Sequence, residues 1–402
     1  MTFPVNDVHV TGMGCLCAAG PNLSHCLRDI FAGFRRAAKP VRFETSHTVR
    51  HPVFEIPDSF LEYHEPRINS RYNLTVRYAL QASAEALSQS GWTYQELKGF
   101  TVGVCLGTTV GCTLNSEPFY KEYLQGGHPD MDPVHKFLGG NPAGAVAREF
   151  GFSGPYQTVV NACSSGTDAI GIGAGWIESG LCDLVLAGGS DELCRVTYNG
   201  FASLLILDVG LCRPFDKNRA GLNLGEGAGV MVLESESLRN NKHKTIHGSV
   251  IGYGSACDAH HLTAPHPQGR GLHNSLYQVL SMSGLETSDI AFVNAHGTGT
   301  RDNDSVEVMI MKETLPGTPF LSTKGYTGHA LGAAGGIEAV LTMACLNMGR
   351  IPNSAGFSES ESEHDLAPVR ESISIQEETA ISQSLAFGGS NAVLMLKKGK
   401  EI

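Results

Sequence analysis

Apolar runs of five or six residues recur along the whole chain and are separated by stretches with helical spacing. Residues 70–90 repeat apolar positions every three or four residues and stop at Gly91, which predicts a helix that ends there. The opening Val8–Val10 predicts a strand that enters a glycine turn at Gly12–Gly14. Further short buried strands are predicted at 101–106, 157–162, 183–187, 228–233, 291–295 and 392–396. Buried strands that alternate with helices indicate an α/β protein with buried sheets.

Two polar clusters interrupt this alternation and mark exposed connections, at 234–246 and 357–378. A chain of 402 residues is longer than one hydrophobic core usually supports, so two domains are expected. The first cluster is the predicted boundary between them. It divides the chain into an N-terminal half, 1–240, and a C-terminal half, 241–402.

A weak internal similarity supports two related halves. Cys163 is followed three residues later by Gly166, at the start of a predicted helix of small and apolar residues. His329 is followed three residues later by Gly332, at the start of a similar predicted helix. Two matched positions are compatible with a duplication or with chance, and the sequence alone leaves both open.

The composition excludes several classes of protein. Charged residues make up 17% of the chain and the net charge is -11, which argues against a protein that coats nucleic acid. Glycine is enriched, at 48 of 402 residues or about 12% against an average near 7%. Most glycines lie in apolar segments, so close helix packing and tight active-site loops are expected. The eleven cysteines are odd in number and lie mostly in apolar runs, as reduced core thiols do.

The chain start, MTFPVNDVHVTGMG, has no basic region followed by an apolar stretch. No run of 18 apolar residues suggests a membrane span. A cytoplasmic protein that contacts no membrane is therefore the expectation.

One cysteine lies in a context that suits catalysis. The segment 159–170 predicts a strand, a sharp turn and a helix, with Cys163 at the turn. A thiol at a helix N-terminus meets unpaired backbone N–H groups and the positive end of the helix dipole, both of which favour the thiolate. Cys163 is therefore a candidate nucleophile.

Two histidines occupy similar turns after predicted strands. His296 is followed by Gly-Thr-Gly-Thr, and His329 lies in a glycine-rich segment that also contains Lys324. Either histidine alone would fit a structural role, but a cysteine and two histidines at three strand ends form a rarer pattern that suggests a catalytic site. Asp304, which follows the first histidine turn, fits a helix-start residue or a structural ion partner near His296.

Several motifs together resemble the β-ketoacyl-acyl carrier protein synthases of the thiolase superfamily, specifically the elongation type. They cover nearly the whole chain and comprise Thr11–Gly14, Ala162–Gly166, Arg213–Asp216, Leu224–Gly229, the two histidine motifs and Phe387–Asn391. The resemblance implies a thiolase-like fold of two duplicated α/β halves in a layered α-β-α-β-α architecture. It also implies a homodimer, or a heterodimer with a paralogous subunit.

The resemblance implies a decarboxylative Claisen condensation. Cys163 would take an acyl chain from acyl carrier protein, while His296 and His329 hold the malonyl thioester carbonyl as carbon dioxide leaves. Two imidazole N–H donors stabilise the resulting enolate oxygen more than the starting carbonyl. The enolate carbon would then attack acyl-Cys163 and extend the chain by two carbons. Backbone N–H groups of Cys163 and Phe387 would hold the second oxyanion.

The resemblance also assigns supporting roles. Lys324 would lie beside the second histidine and keep the network polarised, and Glu338 would pair with Lys324. Thr298 and Thr300 would hydrogen-bond the pantetheine arm. Gly388 and Gly389 would let their loop approach the site and move. Val110 would form part of the acyl pocket wall. The residues that would dock the carrier protein are Arg67, Arg71 and Arg213.

No cofactor and no metal are expected, because the substrates would arrive on the phosphopantetheine of acyl carrier protein. Leu224–Gly229 superficially resembles a dinucleotide loop, but it lacks the GxGxxG spacing and precedes a strand rather than a helix. Priming enzymes of the superfamily carry asparagine where this chain has His329, so elongation is preferred.

The chain also departs from the housekeeping pattern. Cys15–Gly20 replaces Ser-Pro-Leu-Gly, Arg219–Gly221 replaces Arg-Asp-Gly, and Gly325 replaces serine. A specialised pathway, such as polyketide or aryl polyene synthesis, is therefore an alternative to fatty acid synthesis. The other alternative is a non-catalytic subunit that binds an acyl chain or carrier protein, like a chain-length factor. The presence of Cys163 argues against that inactive role.

Overall fold

A computed structural model describes residues 8–61, 71–109, 116–239, 245–361 and 366–399. The strands are β1 (Val8–Cys17), β2 (Val102–Gly107), β3 (Tyr156–Val159), β4 (Leu184–Asp191), β5 (Gly227–Ser235), β6 (Gly248–Cys257), β7 (Ile290–Asn294), β8 (Phe320–Leu321), β9 (Arg350–Ile351), β10 (Ile373–Ser374), β11 (Thr379–Leu385) and β12 (Ser390–Lys398). Ten of them form one sheet in the order β3-β2-β4-β5-β1-β6-β12-β11-β7-β8, and β9 pairs with β10 separately.

The ten-stranded sheet consists of two halves with the same pairing. In the first half, β3, β2 and β4 are parallel neighbours, and β5 and β1 follow antiparallel. In the second half, β8, β7 and β11 are parallel neighbours, and β12 and β6 follow antiparallel. The halves join where β1 pairs with β6 at Val8 and Val250. The same chain order therefore occurs twice, and the predicted pair of duplicated α/β halves is confirmed.

The α-helices lie in three layers around the two sheet halves. They are α1 (Leu23–Phe31), α2 (Leu74–Ser90), α3 (Tyr94–Leu97), α4 (Glu117–Leu124), α5 (Asp132–Gly139), α6 (Pro142–Phe150), α7 (Ser165–Glu178), α8 (Arg195–Ser203), α9 (Glu236–Arg239), α10 (Arg270–Ser283), α11 (Arg301–Thr314), α12 (Lys324–Thr327) and α13 (Ala334–Met348). Helices α7 and α13 pack against each other and against both sheet halves. Helices α2 and α6 cover the first half from outside, and α10 covers the second. This is the predicted α-β-α-β-α layering.

Strand β1 corrects one prediction from the sequence. The chain does not turn at Gly12–Gly14 but continues as a strand to Cys17. A Cβ atom at Gly12 would lie 2.0 Å from the carbonyl oxygen of Ala86, and one at Gly14 would lie 1.9 Å from that of Ala82. These glycines therefore let α2 lie directly on the strand, and they serve packing rather than a turn.

The two central helices approach closely at their N-terminal ends. A Cβ atom at Gly166 would lie 2.6 Å from the backbone nitrogen of Gly336. The prediction that His329 opens the second helix is wrong, because Leu331 has a positive φ of 52° and interrupts the helical path. A 3-10 turn at Leu331–Ala333 comes first, and α13 begins at Ala334. The close approach places the Cys163 and His329 turns side by side.

Helix α13 lies at the centre of the core. The segment Leu331–Met348 is long and apolar enough to cross a membrane, but 89% of it is buried inside the fold. Such burial is typical of the core helix of a layered protein. The ten cysteines in the described ranges are unpaired thiols, of which Cys257 is exposed and the others are buried. The predicted boundary at residue 240 lies outside the described residues.

Candidate active site

Cys163 lies on a tight elbow between β3 and α7. Ala162, which precedes it, has a positive φ of 47°, a conformation that a residue with a side chain rarely adopts. The hydroxyl of Ser165 accepts a hydrogen bond from the backbone of Asn161 at 2.8 Å and donates one to the carbonyl of Ala162 at 2.6 Å. The elbow therefore holds a strained conformation that presents the thiol at the head of α7, as the sequence predicts.

The electrostatics of the thiol differ from the prediction. Burial raises the pKa of Cys163 to about 11, although the charge of Lys324 and a hydrogen bond from the backbone N–H of Phe387 both oppose the rise. The expected preference for thiolate is therefore wrong for the unacylated site. The residue is only 5% exposed, and loss of water outweighs the favourable helix end.

The two histidines lie beside the thiol. The Cys163 sulfur and a ring nitrogen of each of His296 and His329 lie within 4.8 Å of one another. The imidazole centroids are 5.0 Å apart and the rings are nearly perpendicular, at 84°. The structure thus brings the three candidate residues together, although His329 follows the short helix α12 and not a strand end as predicted.

Hydrogen bonds define the tautomer of both rings. The Nδ1 atom of His296 lies 3.1 Å from the ammonium of Lys324, and Nδ1 of His329 accepts the backbone N–H of Leu331 at 3.3 Å. Since Nδ1 accepts in each ring, the proton of each neutral imidazole is on Nε2. Burial and the charge of Lys324 lower the pKa of both histidines well below the ordinary value, so both are neutral at pH 7. The site offers two neutral N–H donors.

Lys324 lies beneath the histidines and is 1% exposed. Its ammonium donates to the carbonyl oxygen of His296 at 2.6 Å and forms an ion pair with Glu338, as the sequence predicts. The hydrogen-bonded ring, however, is His296 and not the second histidine, which corrects the expected placement. The reason is that α12 starts at Lys324 and directs the side chain toward the end of β7, where His296 follows.

Two carboxylates on α11 hold the first histidine turn. Asp304 accepts the backbone N–H of Thr298 at 3.0 Å and that of Phe215 at 2.6 Å, so it is the structural partner that the sequence suggests. Glu307 accepts the backbone N–H groups of His296 and Gly297, each at 2.7 Å. Glu307 was not predicted from the sequence. Its spacing of three residues from Asp304, on the same helix face, was the available signal.

A cavity of about 430 Å³ leads from the three catalytic candidates to the surface. Thr298 and Thr300 line it, and their hydroxyl oxygens are 2.9 Å apart. The ring of Phe387 stacks on Phe201, a missed lining residue, with centroids 5.6 Å apart. Gly388 and Gly389 follow, each with a φ of 85°, a left-handed conformation that favours glycine. Thr298, Thr300 and Phe387 therefore line one cavity, and the two predicted loop glycines follow Phe387 without lining it.

The predicted outer residues are less closely grouped. Arg71 is exposed and contacts Glu149 at 3.3 Å, away from the cavity lining. Arg213 is exposed, and its backbone lies next to Gly299 in the histidine turn. Arg67 and Val110 lie outside the described residues. Among the described docking candidates, Arg213 is thus the one placed near the mouth.

The raised pKa of Cys163 predicts how its reactivity depends on pH. Below a pKa of about 11 the thiolate fraction grows about tenfold for each pH unit, so alkylation by iodoacetamide should accelerate steeply from pH 7 to pH 9. Peptide mass spectrometry that follows the Cys163 peptide measures this rate, with the peptide of the exposed Cys257 as internal comparison. A rate that levels off by pH 8 would contradict the prediction.

A cysteine on a strand-to-helix elbow, facing two neutral histidines in a cavity that reaches the surface, defines an acyl-transferring condensing enzyme. The comparisons agree. The family model described as "Beta-ketoacyl synthase, N-terminal domain" matches residues 5–239. The model described as "Beta-ketoacyl synthase, C-terminal domain" matches residues 247–358. The chain belongs to the beta-ketoacyl synthase family, and it is an acyltransferase.

Similar proteins include a 3-oxoacyl-[acyl-carrier-protein] synthase and ketosynthases named with a chain length factor. The 3-oxoacyl-[acyl-carrier-protein] synthase 2 of Synechocystis sp. is 31% identical over 409 residues, which cover 97% of this chain and 98% of the relative. The ishigamide ketosynthase/chain length factor has a TM-score of 0.92 at 30% identity, covering 98% of this chain and 100% of that one. The ketosynthase ApeO in complex with its chain length factor ApeC, from Xenorhabdus doucetiae, has a TM-score of 0.86 at 27% identity, covering 99% and 100%.

Proposed function

We propose that the protein condenses an acyl group on Cys163 with malonyl-acyl carrier protein and releases carbon dioxide and a 3-oxoacyl carrier protein two carbons longer. The observation that carries the proposal is the placement of the Cys163 sulfur within 4.8 Å of both imidazoles. One bound thioester can therefore touch nucleophile and donors together. The relatives named 3-oxoacyl-[acyl-carrier-protein] synthase 2 support the same reaction.

The first step loads the acyl chain. The Cys163 sulfur attacks the carrier thioester, the bond to the carrier sulfur breaks, and the thiol proton leaves on the released carrier thiol. The backbone N–H of Phe387 already hydrogen-bonds toward Cys163, so it is placed to stabilise the tetrahedral oxyanion. A neutral imidazole within reach of the sulfur can accept the proton during this exchange.

The second step breaks the bond to carbon dioxide. The electron pair that remains forms an enolate, whose oxygen carries growing negative charge next to the Nε2–H groups of His296 and His329. Neutral donors that meet charge only as it develops lower the barrier of this step. The enolate carbon then attacks the acyl carbonyl, a carbon–carbon bond forms, and the Cys163 sulfur leaves.

The test is a reconstituted condensation. Purified protein with acyl carrier protein and malonyl carrier protein is expected to release carbon dioxide and to yield a product two carbons longer by mass. Acyl chain retained on the protein without carbon dioxide would favour the non-catalytic, chain-length-factor-like subunit instead. Carbon dioxide without an extended product would mean that the thioester of Cys163 is not the acceptor.

Acyl carrier protein is the proposed partner, and Arg213 is the docking residue that the geometry favours. Carrier proteins are acidic. Reversing a charge at the mouth of the cavity slows the association of the carrier protein more than it changes the rate of the reaction. Arg213→Glu is expected to raise the apparent KM for carrier protein about five- to tenfold with kcat nearly unchanged. Lys98→Glu, an exposed lysine outside the cavity lining, serves as control. Equal KM values for the two variants across salt concentrations would refute the role.

A dimer is proposed from the edge of the sheet. β3 is the terminal strand; Tyr156 at its start is 59% exposed, and Val160 directly after it is 65% exposed. An open edge with exposed apolar side chains favours pairing with another chain. The ketosynthases named with chain length factors make an inactive paralogue the alternative to a second copy. Sedimentation of the protein by itself, and then mixed with a paralogue, measures the mass of the complex. A homodimer would have twice the 42.8 kDa chain mass, whereas a heterodimer would contain the paralogue.

The pathway, location and ligands are proposed from the same features. A specialised pathway, of polyketide or aryl polyene type, is supported by the unusual motifs and by the named ketosynthase pairs. A cytoplasmic location fits the reduced thiols.

Cys163, His296 and His329 together could ligate a metal ion, but the ammonium of Lys324 at 3.1 Å from Nδ1 of His296 repels a cation there. We therefore propose that neither metal nor resident cofactor takes part.

A further inference from the structure

A buried carboxylate beside the elbow receives hydrogen bonds from three directions. Asp168 lies in the first turn of α7 and is 3% exposed. One oxygen accepts the amide of Asn161 at 2.6 Å and the hydroxyl of Ser164 at 2.8 Å. The other accepts the hydroxyl of Tyr253, on β6, at 2.8 Å. Asp168 therefore ties both sides of the Cys163 elbow to the second sheet half.

The same groups reach the loop that carries Phe387. The amide of Asn161 also donates to the hydroxyl of Ser390 at 2.7 Å, and the hydroxyls of Ser164 and Ser390 are 3.2 Å apart. Ser390 begins β12, and its carbonyl accepts the backbone N–H of Ala386 at 2.7 Å, which closes the turn around Phe387. Fixing the hydroxyl of Ser390 therefore fixes the Phe387 turn relative to the elbow.

The two turns carry the two halves of one proposed oxyanion site. The backbone N–H of the Cys163 elbow belongs to the first sheet half, and the backbone N–H of Phe387 belongs to the second. We infer that Asp168 and Asn161 are positioning residues that set the distance between these two N–H donors through Ser164 and Ser390. The inference deepens the proposed function and rests on it for the assignment of the oxyanion.

The inferred role predicts a selective defect. Loading and condensation both pass through a tetrahedral oxyanion on Cys163, whereas decarboxylation places its charge next to the histidine rings, which the Asp168 network does not touch. Loss of one oxyanion donor slows a reaction about 10²- to 10³-fold, so displacement of a donor should cost about 10- to 100-fold. Malonyl decarboxylation should change by less than about twofold. A structural defect would lower both rates together.

The experiment compares Asn161→Ala, Asp168→Ala and Ser390→Ala with the wild-type protein. Single-turnover acylation of Cys163 is expected to slow about 10- to 100-fold, while decarboxylation of malonyl carrier protein is retained. Asn161→Ala combined with Ser390→Ala should be hardly slower than either alone, because both remove the same link. Asp183→Asn is the control, since among the described residues its carboxylate accepts only the backbone N–H of Thr101, next to the start of β4 and away from the elbow.

A second readout does not depend on the condensation. The N–H of Phe387 lowers the pKa of Cys163, so its displacement should move the pH profile of iodoacetamide alkylation to higher pH. An unchanged alkylation profile together with unchanged acylation would overturn the positioning role. Acylation and decarboxylation that fall equally, with a lowered melting temperature, would also overturn it. If the wild-type protein does not condense at all, the proposed function fails, while the alkylation profile still decides the inference.

Discussion

Cys163→Ala is expected to lower the rate of condensation by at least about 10⁴-fold, because no acyl-enzyme can form without the sulfur. The change removes one atom from a buried position, and the histidine pair keeps its own hydrogen bonds to Lys324 and Leu331. Release of carbon dioxide from malonyl carrier protein should therefore persist. The measurements are product mass for condensation and labelled carbon dioxide for decarboxylation.

Cys182→Ala is the control for this variant, since Cys182 is buried like Cys163 and does not line the cavity. It should condense at the wild-type rate. Residual condensation by Cys163→Ala above a few per cent would show that another group accepts the acyl chain, and the proposed mechanism would be wrong. Loss of both activities in a folded protein would instead mean that the sulfur shapes the malonyl site.

The catalytic residues could be predicted from the sequence because each follows a local signal. Cys163 and His296 lie shortly after β3 and β7, and His329 follows the short helix α12 after β8. The glycine residues around them let the turns approach, as Gly166 does against Gly336. The layering of the helices followed from the family resemblance rather than from periodicity.

Other features depend on contacts that no local pattern encodes. The Asp168 network joins residues from three separate segments, and its members are ordinary polar residues in the sequence. Lys324 was expected beside the second histidine but hydrogen-bonds His296, because the direction of a buried side chain depends on the packing of α12. The pKa of Cys163 was expected to fall since the helix end is visible in the sequence, whereas the opposing burial is a property of the assembled core.

Lys324→Met is expected to lower the free energy of unfolding by about 3–5 kcal/mol, because it leaves the carboxylate of Glu338 buried without its cation. One oxygen of Glu338 contacts Lys324, and the other has no hydrogen-bond partner among the described residues. The double variant Lys324→Met with Glu338→Gln should recover much of the loss, since it removes both charges. Urea unfolding of the three proteins measures the differences. Lys217→Met, which breaks an exposed pair with Glu359, should cost less than about 1 kcal/mol.

The loss caused by Lys324→Met should depend on pH in a definite direction. Burial raises the pKa of Glu338 to about 7 in the folded protein, above the ordinary value of 4.5, so the folded state holds this proton more tightly than the unfolded state. Stability linked to such a group is greatest at low pH and is lost as the pH rises through about 7. Without the ammonium of Lys324, the pKa of Glu338 in the folded protein rises further. The variant should therefore lose more stability at pH 8 than at pH 5.5. A deficit that is constant over this range would mean that the missing volume of Lys324, and not the unpaired buried charge of Glu338, causes the instability.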